Sequence, residues 1–370
     1  MPRLQAVLWS WCALACLVST AAAQTTASAR IQLVVDSSEA GQVLHILALR
    51  RAGQAVPDTE WQRLFATVPY RRLKERERRI GEQFHVPSLA FSDADFRQFV
   101  LSDSLLQRAP QLRETLERWM QVDLRRSAER ILAYLPDGAT IYATVYPSIK
   151  PKTNSFVWDL ATDPAIFLYL DPDVSAAKFE NTVAHELHHI GLGSLGPVYT
   201  QAIAGLPEPA RTVAHYMGAF GEGFAMLAAA GGPDVDPHAT STHAEHRRWE
   251  GELANFDTDL PTVDRFFLDV LNGRLTDPDS IEARGSSFFG AHQGPWYTVG
   301  YRMAVLVERR YGRPALIRTM LDYRCLLALY NRAAREQNAG GQTALPLWSG
   351  DVLSRVNAGT CGVATKARGG

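Results

Sequence analysis

The stretch Val174–Gly193, VSAAKFENTVAHELHHIGLG, decides how the rest of the chain is read. Val183, Leu187 and Ile190 recur at i, i+4 and i+7, which predicts one apolar face on a helix of about four turns. His185 and His189 are also i, i+4. They project from one side a turn apart, as two imidazoles must to share one tetrahedral Zn²⁺. Glu186 follows the first histidine and points toward the space beside the metal. There its carboxylate can take a proton from a zinc-bound water and pass it to a leaving amine. His188 lies off this face and reads as a neighbour, not a ligand. HExxH letters also arise by chance on solvated helices. Here they sit on an amphipathic helix that follows a strand-like run and ends in glycine.

A third protein ligand must come from elsewhere. The metzincin continuation needs glycine and then histidine at positions held here by Leu192 and Leu195, so it is excluded. The gluzincin alternative needs a glutamate on a following helix, and Glu222 in AHYMGAFGEGFAMLAAAGG is the best candidate. Pro207 and Pro209 mark that helix's start and Gly231-Gly232 its end. Gly221 and Gly223 flank Glu222, and each interior glycine costs about 1 kcal/mol relative to alanine. That cost makes sense if the helix lies close against another backbone, as joining two ligand-bearing helices at one metal requires. His215, seven residues earlier, hence falls on the same face, and could orient or replace Glu222. Glu245 and Glu250, in the His-rich HAEHRRWEGE, are weaker rivals. That stretch reads as a surface loop or a secondary metal site.

Outward from this core, Ala139–Tyr146 and Ala165–Leu170, with Phe156–Trp158 between them, are rich in β-branched and aromatic residues. They predict a small antiparallel or mixed sheet of about three strands before the HExxH helix, with Ala165–Leu170 or Ala139–Tyr146 offering an edge where an extended substrate adds as a strand. From Asp36 to Leu135 the pattern is helical. Ser37-Ser38-Glu39 starts one helix, Pro57-Asp58 a second, and Ser92 with Asp95 forms a capping box. Gln111–Leu135 reads as one long amphipathic helix. The fold class expected is therefore α+β, mainly α and zincin-like: a signal segment over 1–23, a helical region over 24–135 and a catalytic region over 136–370.

The first segment, MPRLQAVLWSWCALACLVSTAAAQ, has one basic residue, Arg3, a short apolar run and an Ala21-Ala22-Ala23 cleavage signal. It reads as a secretory signal peptide, predicting export to the periplasm or medium. A lipoprotein signal ending at Cys16 fits less well, because Ala13 stands where leucine is preferred. No span is expected in the mature chain. Lys+Arg 38 against Asp+Glu 39 gives no reason to expect nucleic acid or an anionic membrane as partner. The mature chain keeps Cys325 and Cys361, which are expected to pair in an oxidising compartment.

With these residues in place, the chain resembles the gluzincin branch of zinc-dependent peptidases, the clan that includes thermolysin. More closely it is similar to a family of largely uncharacterised bacterial zinc peptidases. The resemblance rests on Trp61, Leu64, Phe65, Tyr70 and Leu73 in the helical region, on HELHH, on Glu222, Gly223 and Ala225, and on GPWYTVGYRMA, Gly294–Ala304. It implies a zincin fold and one catalytic Zn²⁺ held by His185, His189 and Glu222, with Glu186 activating water to cleave a peptide or protein substrate. The clan also implies a hydrogen-bond donor to the carbonyl oxygen. Tyr297, on a helix expected over 296–310, is the first candidate, and Tyr301 or His292 its substitutes. The chain departs from thermolysin at Met226, where a supporting carboxylate commonly stands four residues after the glutamate ligand. Two other functions use the same residues: a zinc amidase acting on a non-peptide substrate, and an exported module whose zinc only holds the fold. Deformylase-like chemistry would need a cysteine ligand, and no mature cysteine lies near the helix. Intact Glu186 argues against a purely structural metal.

Overall fold

Four short strands and a large helical majority make up the chain in a computed structural model that describes residues 29–83, 91–290, 292–341 and 344–358. The expected signal segment and Cys361 lie outside the described residues; Cys325 is disulfide-bonded. The class is α+β, mainly α. The described residues fall into two compact units. The first holds residues up to Leu116, Asp123–Leu132 and Thr140–Asp171; the second holds Glu117–Val122, Ala133–Ala139 and the chain from Pro172 onward.

The first unit carries the sheet. Strands β1 (Ile31–Val35), β2 (Ile141–Ser148), β3 (Phe156–Trp158) and β4 (Ala165–Tyr169) lie in the order β1-β2-β4-β3. β1 pairs with β2 in parallel, Ile31 opposite Ile141, and β2 with β4 in parallel, Thr144 opposite Ala165. β3 runs antiparallel to β4. The sheet is thus mixed and has four strands, one more than its sequence suggested. β1 is a strand within the stretch read as helical. A parallel pair needs a long crossover, and the helices between β1 and β2 supply it. β4 is buried along Ala165–Leu168, as its uninterrupted apolar run requires when both faces are covered.

This order corrects the expectation of substrate pairing at β2 or β4. Each has a strand on both sides, and β1 and β3 are the edges.

The helices of this unit begin largely where their caps predicted. The helix Ser38–Arg51 places Glu39 in its first turn, where the buried carboxylate accepts a hydrogen bond from the Ile149 backbone N–H at 3.0 Å. Ser92 and Asp95 close the predicted capping box. The basic run of Val68–Gln83 is a solvated face in part: Arg78 and Arg79 pair with Glu75 on the same helix. The long helix expected over Gln111–Leu135 is instead two, Asp103–Trp119 and Leu124–Leu132. The chain turns between them, with Val122 N–H donating to the Trp119 carbonyl.

In the second unit three helices matter most: the histidine helix Ala176–Gly193, the glutamate helix Gly221–Ala230 and the tyrosine helix Pro295–Tyr311. Ser175 caps the first by accepting from Lys178 N–H, and Trp119 stacks on Phe179 with ring centres 4.4 Å apart. Val183, Leu187 and Ile190 are buried, so the apolar face lies where its spacing put it. Phe220, Trp296 and Trp348 form an aromatic core beneath the other two helices, with Phe220 edge-on to both tryptophans. Among the described residues no helix is long and apolar enough to cross a membrane.

Candidate metal centre

The histidine helix aims His185 and His189 to one side, and the glutamate helix brings Glu222 to meet them. Glu222 Oε2 lies 3.1 Å from His185 Nε2 and 3.1 Å from His189 Nε2, and the two nitrogens are 3.0 Å apart. Three electron-pair donors thus make a nearly equilateral triangle. Tetrahedral zinc with bonds of about 2.0–2.1 Å separates its ligand atoms by about 3.3–3.4 Å. The triangle is slightly tighter than that and has the right donor types. Two imidazoles and a carboxylate form the three-ligand set of a catalytic zinc site, which leaves a fourth position open. Among the described residues this is the one group of three or more histidine, cysteine or acidic side chains so arranged.

The electrostatics follow from that crowding. Burial pushes the His189 pKa down, but the Glu222 carboxylate beside it more than offsets this and lifts it to about 9. Burial pushes the Glu222 carboxyl up, and the two imidazoles overcome that and hold it far below the usual carboxylate range. Without a cation the site therefore keeps a proton between carboxylate and imidazole. A metal ion competes for the same lone pairs.

The glycines explain how Glu222 gets there, though not in the way their spacing implied. A Cβ on Gly223 would sit 2.0 Å from Tyr301 N and 2.3 Å from Gly300 C. One on Gly300 would meet the Phe220 carbonyl oxygen at 2.7 Å. The close backbone approach is therefore to the tyrosine helix, not to the histidine helix. This glycine-on-glycine crossing sets Tyr297, one turn before Gly300, beside His185 and Glu222. Its ring lies nearly parallel to that of His185, centres 6.2 Å apart. Burial, then the Glu222 and Glu186 carboxylates, push its phenol far up, so it remains a hydrogen-bond donor. Glu186 is half-buried and its charge acts on both His189 and Tyr297.

The remaining candidates stand elsewhere. His215 is exposed, edge-on to Tyr216. Its helix ends at Met217, and a 3₁₀ turn over Gly218–Phe220 breaks the period that would have aligned it with Glu222. Glu245 closes the capping box of helix His243–Ala254 with Thr242, and Glu250 pairs with His246. Neither joins the triangle, and no second cluster of metal ligands forms among the described residues of the His-rich stretch. Tyr301 is buried edge-on to Trp249, and His292 is exposed. His188 is fully buried with neither ring nitrogen hydrogen-bonded, and burial holds it neutral.

Sequence reasoning missed several contacts elsewhere in the second unit. Gln293 Nε2 approaches Met226 Sδ at 3.6 Å, at the position where thermolysin-like sites commonly carry a carboxylate. Lys178 donates to Ser241, whose hydroxyl also contacts buried His238, itself stacked on Trp249. No motif signals these contacts, because they join loop residues to distant helices.

A family described as "Putative zinc dependent peptidase (DUF5700)" matches residues 61–339. The match includes His185, Glu186, His189, Glu222 and Tyr297. No curated protein and no solved structure matches the chain.

Proposed function

The chain belongs to that family, and from this premise we propose that it is a zinc metallopeptidase with one catalytic ion held by His185, His189 and Glu222. The observation that carries the reading is the convergence of three ligand atoms within 3.1 Å of one another. Glu186 and Tyr297 stand beside the same centre. Zinc, when bound, supplies Lewis acidity that makes water a nucleophile at neutral pH and polarises a carbonyl.

The chain's own groups do the rest. The Glu186 carboxylate takes a proton from the attacking water and returns it to the nitrogen as the C–N bond breaks. The Tyr297 phenol, kept protonated, donates a hydrogen bond to the carbonyl oxygen as negative charge builds there. The His185 and Tyr297 rings are half-buried, which lowers the local dielectric on that side and strengthens both interactions. We further propose that the protein acts after export. The reading rests on the signal-like pattern of residues 1–23, and the disulfide at Cys325 suits an oxidising compartment.

The test is mass-spectrometric cleavage of a mixed peptide library by the parent and by Glu186→Gln, with bound zinc measured in both. Cleavage by the parent alone, lost on chelation and restored by zinc, is expected. Equal zinc content with no cleavage by either protein would sink the peptidase reading. Non-peptide amides would then be assayed, and failure there too would leave a metal that only holds the fold.

A further inference from the structure

The tyrosine helix has a second working face. Arg302, Val305, Leu306 and Arg309 fall at i, i+3, i+4 and i+7 and line a cavity of about 570 Å³. Arg302 follows Tyr297 by five residues, which turns it about 140° around the helix from the metal side. The cavity lies within the range of about 300–1,000 Å³ common to small-molecule sites. Every residue lining it belongs to the second unit.

Its walls combine apolar surface with positive charge. Half-buried Leu306 and Leu345 supply the first, whereas the Phe256 and Tyr330 rings are almost wholly closed to solvent. The Tyr330 hydroxyl is already donated to the Pro346 carbonyl at 2.8 Å, so it offers no free donor. Three guanidiniums face one carboxylate, Asp257. Two of them are committed: Arg309 to Asp234 and Arg310 to Glu336. Arg302 makes no ion pair and no hydrogen bond among the described residues. Its guanidinium lies over the Phe256 ring, 5.3 Å from the centre. A cation seated on a ring face is held by the quadrupole of that ring, while its N–H donors at the edge stay available. Those donors form a planar fork that fits a carboxylate with two parallel hydrogen bonds.

We infer that this cavity binds an apolar carboxylate: an acid whose carboxylate pairs with Arg302 and whose apolar body lies against Leu306 and Leu345. A free apolar acid and the C-terminal residue of a peptide share this chemistry.

Calorimetry on the zinc-loaded protein, with acetohydroxamate occupying the metal, tests it using two probe pairs. One is 3-phenylpropionate and its amide; the other is N-acetyl-Ala-Ala-Phe and its C-terminal amide. The acid of at least one pair is expected to bind about tenfold or more tightly than its amide. Arg302→Gln brings that ratio close to one. Leu306→Trp, which fills the cavity and leaves its charge alone, abolishes binding of both members. Tighter binding of the peptide acid than of 3-phenylpropionate identifies a peptide C-terminus as the occupant, and the reverse a free acid. A ratio near one in the parent, no binding of any probe, a ratio unchanged by Arg302→Gln, or undiminished binding to Leu306→Trp overturns the inference.

Discussion

Replacing Gly223 by alanine puts one methyl group between two backbones. Its carbon would lie 2.0 Å from Tyr301 N, whereas non-bonded contacts settle near about 3.5 Å, so the glutamate and tyrosine helices must part by about 1.5 Å. Alanine improves helix propensity by about 1 kcal/mol. Overpacking costs about 1–3 kcal/mol where side chains can yield. Here neither partner atom is a side chain, so a net loss of about 2 kcal/mol or more is expected. The metal suffers separately, because ligand distances tolerate only about 0.2 Å. Glu222 moves with its helix, and zinc affinity should fall about 10- to 100-fold. Urea denaturation of the zinc-free protein and competition with a chromogenic chelator measure the two effects. Gly251→Ala is the matched control: that glycine is helical with nothing within 4 Å of its would-be Cβ, and the change should stabilise by about 0.5–1 kcal/mol. A Gly223→Ala protein with the parent's urea midpoint and zinc affinity would refute the claim that this backbone crossing positions the third ligand.

Tyr297→Phe should lower kcat on a peptide substrate about 100-fold while zinc content and KM change little, because the lost donor acts as charge develops; an unchanged kcat removes Tyr297 from the chemistry. In zinc-free protein, His189 holds its proton more tightly folded than unfolded, about 9 against 6.5. Its stabilisation is therefore complete below pH 6.5 and is lost as pH rises through about 9, and zinc affinity climbs over the same range as the competing proton leaves. Urea midpoints in chelator from pH 6 to 10 should show that decline in the parent and not in His189→Asn. Glu39 is a buried carboxyl raised by desolvation from 4.5 to about 8 despite the Ile149 N–H and Lys150. Folded protein binds this proton more tightly than unfolded, so stability falls as pH rises from 4.5 toward 8. Glu39→Gln should remove that slope and gain on the order of 3 kcal/mol at pH 9; a thermal unfolding series showing parallel slopes would rule it out.

How much of this was legible in the sequence depends on the range of the interactions involved. The histidine helix was readable because its histidine spacing and apolar face both lie within one segment. Glu222 was readable by its surroundings: two flanking glycines signal a close backbone. They could not say which backbone, and the partner is the helix of Gly300. His215 failed as a candidate because extrapolating seven residues assumes an unbroken helix, and Gly218–Phe220 tightens into a 3₁₀ turn. β1 escaped notice because five residues, IQLVV, carry too little pattern to mark a strand whose partner is so distant in sequence. The order of strands was likewise invisible. Runs such as AIFLYL announce burial on two faces but not their neighbours.

That pairing of β1 with β2 has a consequence for how the chain is made. Ile31 is opposite Ile141, so β1, made before β2, has no partner there until about 110 residues more have been added. At about 5–20 residues per second, that is a wait of roughly 5–20 seconds. During it, IQLVV presents unpaired amides and carbonyls while the helices of the crossover are still arriving. The first unit closes only once β2 and β4 exist. The tempo of synthesis, as much as the final stability, then decides whether this strand joins its own sheet or the edge of a neighbour's.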